Sequence, residues 1–435
     1  MRLLMIIPSF YTISGKKVTP FWMPPLGLAT IAAEVPDYWE IKIIDENVDE
    51  LDYEHEKADL VVISFLTTNS VRGYMIADAF RCRGIKVVIG GVHTSVKPEE
   101  AILHADAICI GDSEGIFRNV INDFENNCLQ KKYERICTVD NINVFNKPRR
   151  DLYNKEKYLT INTMQTSRGC PHVCSFCSVA SRYHRKYGVK PIKQILEEIE
   201  EMDVHGDPIF FVDDNMFVNK KRTIELLTEL KRFNLQWWTQ TDIITVQDEK
   251  FLELARESGC INLVLGFESL SSVSIQKMSK VQNVGYSYEE TIRKIHKHGI
   301  FINPSFTLGV DEDDETVFQN IYDFLDANRV MFSTFNILTP LPGTALYDEM
   351  EKENRIIDRD WTHYDMGHVV FKPRNMSVQA LKEGHDRLCE KYYGIDEIYK
   401  RVKKLKDEKD KFDINLVLGW NLGYKRLIDN FGTFM

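Results

Sequence analysis

Short apolar runs rich in β-branched residues alternate with amphipathic segments along the first 125 residues of the chain. The runs predict strands at 2–7, 40–44, 60–64, 85–89 and 107–110, and the segments between them can supply helices, for example at 25–35, 70–82 and 114–125. Near-continuous apolar strands that alternate with helices indicate a parallel sheet covered on both faces. We therefore predict a doubly wound, Rossmann-like α/β domain over residues 1–125.

The ligand site of such a sheet is expected in the loops beyond the carboxyl ends of its strands. The first strand is not followed by the GxGxxG sequence of dinucleotide-binding folds. The candidate contacts in these loops are Asp45, Ser64, Thr67, Gly90, Gly91, His93, Gly111 and Glu114.

The alternation lapses over residues 126–158, a polar and charged stretch that we interpret as a linker, and then resumes. Six further strands are predicted at 160–165, 208–213, 235–241, 261–267, 301–309 and 330–338. Between them, two helices are predicted from apolar residues that share one face: Ile192, Ile195, Leu196 and Ile199 in the first, and Ile224, Leu227 and Leu230 in the second. Six βα units fall short of the eight in a closed TIM barrel. We predict a partial (β/α)6 TIM-like barrel over 159–340 and a mostly helical, capping C-terminal extension on the substrate side over 341–435.

Charge and hydropathy narrow the function classes. The 55 basic and 65 acidic residues give a net charge of −10, which argues against a nucleic-acid partner. No stretch approaches the ~20 apolar residues of a membrane span, and the N-terminus MRLLMIIPSF resembles a strand more than a signal peptide. A cytoplasmic protein is expected. The aromatic, amphipathic segment 414–431 is either a docking helix or a contact with a lipid-like substrate or membrane surface.

The nine cysteines fall into two groups. Six are scattered singly and are interpreted as buried structural thiols: Cys82, Cys109, Cys128, Cys137, Cys260 and Cys389. The other three, Cys170, Cys174 and Cys177, follow a predicted strand with the spacing CxxxCxxC and indicate a metal site. Structural zinc would need a fourth ligand, for which His172 is the candidate. On a [4Fe–4S] cluster, three cysteines would leave one iron open for chemistry.

The CxxxCxxC sequence, with Phe176 before its last cysteine and Arg168-Gly169 ahead of it, resembles the signature of radical S-adenosylmethionine (SAM) enzymes. This resemblance implies that SAM binds the open iron and is cleaved by one electron to methionine and a 5′-deoxyadenosyl radical. It implies an electron donor such as flavodoxin or ferredoxin. It also suggests SAM contacts at Phe176, Asp213, Gln240, Glu268, Ser269 and Leu308, although Asp and Ser at such positions can instead cap helices.

The arrangement of an α/β domain ahead of this signature resembles the B12-dependent radical SAM enzymes over residues 1 to about 380. The resemblance implies cobalamin at the loops of the first domain, where Gly90-Gly91 can admit a large flat ligand and Ser64 and Thr67 can hydrogen-bond it. The DxHxxG motif of mutase-type corrinoid proteins is absent, the nearest approach being Asp203 and His205 with proline at 208. Cobalt is therefore expected to lack a histidine from that motif. Alternatively, the domain is empty and serves an interaction, or it binds something else.

Two reaction classes follow from the resemblance. Many such enzymes methylate an unactivated carbon with a methyl group carried by cobalamin. Others, including those similar to the anaerobic magnesium-protoporphyrin cyclase and the hopanoid-modifying enzymes, hydroxylate, cyclise or join carbons. The C-terminal segment looks more like the second group. We nevertheless predict methylation of a small-molecule or lipid-like substrate.

Within the C-terminal segment, Tyr364 and His368, with Trp361 and Asp365, can line the substrate side, and core packing is the alternative for Trp361. A zinc-stapled α/β binding protein without catalysis is the alternative from a different class.

Overall fold

The computed structural model describes residues 1–10, 23–135, 143, 145–158, 162–202, 204, 206–405 and 413–432. The chain divides into two compact units. The first unit comprises Met1–Thr163, Gly188–Lys190 and Asp360–Thr362, and the second comprises Met164–Tyr187, Pro191–Arg359 and His363–Met435.

The first unit is built on a parallel six-stranded sheet. Its strands are β1 (Arg2–Ile7), β2 (Glu40–Asp45), β3 (Leu60–Ser64), β4 (Lys86–Gly90), β5 (Ala107–Gly111) and β6 (Lys132–Arg135), in the order β2-β1-β3-β4-β5-β6. Its helices are α1 (Leu26–Ala32), α2 (Ser70–Cys82), α3 (Val92–Val96), α4 (Pro98–Ala101) and α5 (Phe117–Glu125). Leu3 packs with α1 and α5 on one face of the sheet, and Leu4 packs with α2 on the other. Both faces are thus covered, which confirms the doubly wound fold.

The segment 126–158, predicted as a linker, contributes the edge strand β6 to this sheet, so that prediction needs correction. Tyr133 and Arg135 are buried, while Lys132 and Glu134 are exposed. This alternation spans four residues within a charged stretch, and is too short to stand out as a strand pattern.

The second unit contains a second parallel sheet of six strands. From residue 163 onwards the strands are, in chain order, β7 (Thr163–Met164), β8 (Ser167–Gly169), β9 (Tyr187–Val189), β10 (Ile209–Phe211), β11 (Trp237–Thr241), β12 (Cys260–Glu268), β13 (Phe301–Leu308) and β14 (Thr334–Ile337). Of these, β8 and β9 form a separate two-stranded sheet. The large sheet has the order β14-β13-β12-β11-β10-β7. The connecting helices are α6 (Ser178–Tyr183), α7 (Ile192–Glu201), α8 (Lys220–Leu230), α9 (Glu249–Glu257), α10 (Ser272–Lys277), α11 (Tyr288–Lys297) and α12 (Val317–Ala327). Consecutive parallel strands with intervening helices confirm the partial (β/α)6 barrel.

The buried face of α8 differs from the predicted one. Ile224 is 40% exposed, whereas Leu227 and Leu230 are fully buried. The buried face instead includes Thr223 and Leu226, because positions i, i+3, i+4 and i+7 counted from Thr223 point to the core.

The C-terminal extension consists of α13 (Ala345–Lys352), α14 (Val378–Tyr392), α15 (Ile395–Lys404) and α16 (Ile414–Phe431). Val417 of α16 packs with Phe301, the first residue of β13, and the Tyr424 hydroxyl accepts a hydrogen bond from Asn303 Nδ2 at 2.6 Å. The segment 414–431 is therefore a helix docked on the barrel. No helix within the described ranges is long and apolar enough to cross a membrane.

The single cysteines do not all behave as predicted. Cys109, Cys260 and Cys389 are buried, but Cys82 and Cys128 are exposed. Cys82 ends α2 and Cys128 lies in the turn after α5, and neither thiol is covered by a neighbouring element. Cys137, Asp203 and His205 lie outside the described residues.

Candidate active site

The three clustered cysteines line a cavity of about 430 Å³ in the second unit. Cys170 directly follows β8, and Cys177 is the residue before the first turn of α6. Later residues of the barrel strands and their loops form the rest of the wall, among them His172, Phe176, Asp214, Asn215, Gln240, Asp242, Glu268, Lys280, Gln282, Ser305, Asn336 and Met366. The CxxxCxxC loop and several barrel strands thus meet at one site.

Two adjacent aspartates after β10 fix the start of the cysteine loop. Asp213 is fully buried and accepts hydrogen bonds from the backbone N–H and the hydroxyl of both Thr166 and Ser167. Asp214 Oδ2 accepts a hydrogen bond from the Gly169 N–H at 2.8 Å. Burial raises the pKa of Asp213 to about 6, although these hydrogen bonds oppose the shift. Asp213 does not lie on the cavity wall, so the structure gives it a clamping role where we predicted a SAM contact.

A polar network lies beside the first cysteine. Asn215 Nδ2 lies 3.8 Å from Cys170 Sγ and donates to Asp242 Oδ2 at 2.8 Å, and His172 Nε2 lies 3.0 Å from the same oxygen. Burial alone would raise the pKa of Asp242, but the hydrogen bonds from His172 and Asn215 hold it below its ordinary value. Asp242 thus engages one ring nitrogen of His172.

The donor set fits a cluster better than a single ion. In the part of the chain that the structure describes, no three His, Cys, Asp or Glu side chains are grouped to hold one metal ion. Burial raises the pKa of Cys170 to about 11, so a thiolate at this position calls for the positive charge of a bound metal. Three thiols around one open cavity match a [4Fe–4S] cluster with one iron left for another ligand.

An ion pair crosses the wall of the cavity. Lys280 Nζ lies 2.5 Å from Glu268 Oε1, and Glu268 Oε2 accepts a hydrogen bond from Thr307 Oγ1 at 2.8 Å. Although burial would lower the pKa of Lys280, Glu268 raises it above the ordinary value. Glu268 has a φ of +64° at a shift in the strand register, and a Cβ at Gly266 would collide with both ends of the pair. Glycine at 266 therefore makes room for this pair.

The C-terminal segment contributes one residue that we did not predict. Met366 lines the cavity with a φ of +62°, and Asp365 supports this turn by accepting hydrogen bonds from the N–H groups of Gly367 and His368, both at 2.9 Å. Strained backbone that neighbouring residues hold in place is typical of functional sites. Tyr364 is buried with its hydroxyl bonded to the Asp358 carbonyl, and His368 pairs with Asp365; neither lines the cavity.

The predicted SAM contacts are divided by the structure. Phe176, Gln240 and Glu268 lie on the cavity wall. Ser269 and Leu308 do not, because Ser269 Oγ accepts a hydrogen bond from the Ser271 N–H and Leu308 is packed in the barrel core. The sequence FFVDDNMF after the second barrel strand also offered Asp214 and Asn215, and both lie on the wall. Sequence reasoning missed several other wall residues, among them Asp242, Lys280, Gln282, Ser305, Asn336 and Met366.

At the strand ends of the first unit, the predicted cobalamin contacts are largely engaged with the protein itself. Asp45 Oδ1 accepts two hydrogen bonds from Asn47. His93 is fully buried, with Nδ1 3.2 Å from Thr67 Oγ1 and Nε2 3.3 Å from Glu100 Oε1. His93 thus offers no open nitrogen to a metal. Glu114 likewise accepts a hydrogen bond from the Asn146 N–H.

Gly91 and Gly111 at this edge are required by the fold itself, because a larger residue would collide with neighbouring backbone. Gly91 has a φ of +102°, and a Cβ there would collide with the Phe65 backbone. A Cβ at Gly111, whose φ is +80°, would collide with the carbonyl of Arg135. Together with Ser64 and Gly90, they keep successive strand ends free of bulky side chains. A strand-end edge without bulky side chains suits a large flat ligand.

Trp361 belongs to the first unit, where its Nε1 donates to Glu100 at 3.1 Å and its ring lies 5.3 Å from that of His93. These contacts agree with the packing alternative for this residue.

Comparisons with known proteins match both units. Family profiles for the Radical SAM superfamily, the B12 binding domain and a domain of unknown function (DUF4070) match residues 164–325, 17–121 and 344–414. Bacteriochlorophyllide d C-12(1)-methyltransferase of Chlorobaculum tepidum is 30% identical over 87% of this chain and 84% of its own length. Hopanoid C-2 methylase of Rhodopseudomonas palustris is 28% identical over 78% of this chain and 66% of its own length.

A solved structure shares the fold. The radical SAM methyltransferase TsrM of Kitasatospora setae, with cobalamin and a [4Fe–4S] cluster bound, superposes with a TM-score of 0.66 at 16% identity, covering 81% of this chain and 75% of that one. The hopanoid relative is a methylase, so our grouping of hopanoid-modifying enzymes with the cyclase rather than with the methyltransferases was wrong.

Proposed function

Because the chain belongs to the radical SAM superfamily, in the group with an N-terminal B12-binding domain, we propose that it methylates an unactivated carbon of a lipid-like or pigment-like small molecule. The observation that carries the proposal is the cavity lined by Cys170, Cys174 and Cys177. The names of two relatives support the choice of reaction and substrate class, since one methylates a bacteriochlorophyllide and the other a hopanoid. Both substrates are large and mostly apolar ring systems.

The enzyme uses a [4Fe–4S] cluster, SAM and cobalamin. When bound, the cluster supplies the electron that cleaves SAM to methionine and a 5′-deoxyadenosyl radical, and cobalamin supplies the methyl group. The thiolates of Cys170, Cys174 and Cys177 would hold the cluster and leave it one open position for SAM. At the strand ends of the first unit, the backbone around Ser64, Gly90 and Gly111 would receive the corrin.

The other residues of the cavity wall bind and orient SAM and the substrate. Phe176 packs against the adenine, and Gln240 and the Glu268–Lys280 pair provide polar groups for the ribose and the amino-acid part of SAM. Met366 takes the substrate-side position that Tyr364 and His368 were predicted to hold, because it is the residue of this segment that lines the cavity. Its apolar side chain suits an apolar substrate and excludes water from the reacting carbon.

Anaerobic reconstitution with iron, sulfide and cobalamin tests the proposal. We expect a brown protein that binds a stoichiometric corrinoid and whose reduced cluster signal in electron paramagnetic resonance (EPR) changes when SAM is added. With substrate, methylation consumes two molecules of SAM, so 5′-deoxyadenosine and S-adenosylhomocysteine should form in equal amounts. Incubation of anaerobic cell extract with methyl-deuterated SAM would reveal the substrate as the metabolite that gains a trideuteromethyl group.

Variants separate the alternatives. Cys170→Ala, Cys174→Ala and Cys177→Ala should each abolish 5′-deoxyadenosine release, whereas Cys128→Ala, which removes an exposed thiol outside the cavity, should not. Stoichiometric zinc in place of iron would support a stapled binding protein. Release of 5′-deoxyadenosine without S-adenosylhomocysteine would favour cyclisation or another reaction without methyl transfer.

The reductive step requires an electron at low potential. We propose a reduced flavodoxin or ferredoxin as the donor and the reducing cytoplasm as the compartment. Supply of either reduced carrier should replace dithionite in the reconstituted assay, and a failure of both would reject this part of the proposal.

A further inference from the structure

Gln282 lies on the cavity wall next to Cys174, one of the three clustered cysteines. It lies in the segment 278–283, which passes over the cysteine loop: the Ser175 N–H donates to the Met278 carbonyl at 3.0 Å. The Gln282 side chain lines the cavity and is only 8% exposed. Its Nε2 lies 3.4 Å from Cys174 Sγ, within the range of an N–H···S hydrogen bond.

The other end of the same amide lacks a partner. Gln282 Oε1 is buried and accepts no hydrogen bond from the described protein atoms. Among the described side chains on the cavity wall, it is the one with such a buried, unpartnered polar atom. Buried polar groups are almost always hydrogen-bonded, so an exception on a cavity wall points to a ligand or an ordered water.

Thiolate chemistry fixes which end of the amide faces the sulfur. A metal-bound thiolate has no proton and only accepts hydrogen bonds, so the NH2 group must face Cys174. The oxygen is then held on the other side and cannot exchange places with the nitrogen. Gln282 Oε1 is therefore a hydrogen-bond acceptor without a donor among the described protein atoms.

We propose that Gln282 is a positioning residue that links the cluster to its ligand: its NH2 group donates to the Cys174 thiolate, and its oxygen accepts a hydrogen bond from a donor group of bound SAM. The inference rests on the proposed function for the identity of cluster and ligand. SAM carries an amino group, two ribose hydroxyls and an adenine amino group, each of which can donate to an amide oxygen. The N–H···S bond tunes the cluster, because hydrogen bonds to cluster sulfurs raise its reduction potential.

Two variants separate the roles of the two ends. Gln282→Leu removes both hydrogen bonds, whereas Gln282→Glu removes the donor to sulfur and keeps an acceptor for SAM. Gln276→Leu, on the exposed side of α10, is the matched control. Each is measured as the anaerobically reconstituted full-length protein for iron content, for the midpoint potential by EPR-monitored titration without SAM, and for SAM affinity by equilibrium dialysis.

We expect all variants to retain the iron content of the wild type. Gln282→Leu should lower the midpoint potential and weaken SAM binding about tenfold, the worth of one hydrogen bond in a buried site. Gln282→Glu should lower the potential but leave SAM affinity within about threefold. Gln276→Leu should change neither quantity.

An unchanged potential in both Gln282 variants would overturn the N–H···S role. An unchanged SAM affinity in Gln282→Leu would overturn the contact with SAM and assign the oxygen to a water. If the potential and the SAM affinity are unchanged in the variants while the wild type assembles a cluster and releases 5′-deoxyadenosine, only the proposed role of Gln282 is rejected. If the wild type builds no cluster, the proposed function fails with it.

Discussion

Polar residues follow the strands of both parallel sheets in this protein. In the first unit they are hydrogen-bonded to other protein groups, whereas in the second unit several of them face an open cavity. At the edge of the first sheet, His93 pairs with Thr67 and Glu100, and Gly91 closes against the Phe65 backbone. At the edge of the second, three thiols and the amide of Gln282 face an open cavity. A polar residue at a strand end therefore does not by itself identify a ligand contact. The informative feature is a polar atom that the protein leaves unsatisfied.

The open site of the second unit nevertheless rests on groups that are fully paired. Asp213 fixes residues 166 and 167 before the first cysteine, and Lys280 and Glu268 neutralise each other on the wall. The comparison thus predicts where substitutions cost stability: the loss of one member of a paired buried group should destabilise either unit, whereas the loss of an unpaired wall group should mainly weaken binding.

The largest effect is expected for Asp213→Ala. The change leaves the buried N–H and hydroxyl groups of Thr166 and Ser167 without their shared acceptor, which should reduce the free energy of unfolding by about 4 kcal/mol. Because these residues lead into the cysteine loop, the iron bound after reconstitution should fall below half of the wild-type value. Iron analysis and denaturant titration provide the measurement. Asp429→Ala, which removes a carboxylate from the exposed face of α16, should change neither quantity.

The next effect is expected for Lys280→Met, which leaves Glu268 buried without its cation. Breaking a buried pair from one side should cost about 3 kcal/mol, measured by chemical denaturation of the metal-free protein. Adding Glu268→Gln should recover part of this loss, since the uncompensated charge is then removed. Lys231→Met breaks an exposed pair with Glu257 and should cost less than about 1 kcal/mol. Equal costs at the two sites would show that the cavity wall is no drier than the surface.

Gly91→Ala tests whether the edge of the first sheet is closed by its own packing. The substitution places a Cβ against the Phe65 backbone at a φ of +102°, and should destabilise the protein by about 2 kcal/mol even without a corrinoid. Gly27→Ala is the control, because this exposed position in α1 has open space for a Cβ and should be neutral or slightly stabilising. If Gly91→Ala instead retained stability and lost only corrinoid affinity, the glycine would serve the ligand rather than the fold.

The features that could be predicted from the sequence are those encoded within short stretches of chain, such as the strands and the cysteine motif. Apolar runs located the strands of both six-stranded sheets except β6, and the spacing of Cys170, Cys174 and Cys177 located the cavity. Glu268 and Gln240 were found because strand ends of a barrel converge. The sequence did not reveal which of two adjacent aspartates faces the cavity, since that depends on the turn after β10.

Contacts between distant parts of the chain could not be predicted. Gln282 lies more than one hundred residues from Cys174 along the chain, and the barrel topology brings them to 3.4 Å. Met366 comes from a segment without periodicity, where Asp365 sets the backbone turn. His93 was predicted as a ligand contact because its loop is in the right place, but side-chain pairing within the folded unit engages both of its ring nitrogens.

His93 also gives the smallest expected effect, a dependence of the first unit's stability on pH. Burial lowers the pKa of His93 below its ordinary value, although Glu100 opposes and Lys97 assists the shift. As the pH falls below about 6.5, the unfolded chain takes up a proton that the folded protein resists, so stability is present above this pH and lost below it. The slope contributed by this residue is at most about 1.4 kcal/mol per pH unit.

Amide hydrogen exchange of β3 and β4, followed by mass spectrometry between pH 7 and pH 5 and corrected for the intrinsic rate, measures this effect where it arises. His93→Gln keeps a neutral hydrogen-bonding side chain and should flatten the dependence on pH. His55→Gln, at a position exposed to water in the folded protein, should leave it unchanged. A corrinoid ligated through His93 would have to break the contacts with Thr67 and Glu100. Because we propose that the corrin binds around Ser64, Gly90 and Gly111, added cobalamin should leave the His93 contribution intact, and its loss would show that the corrinoid breaks these contacts.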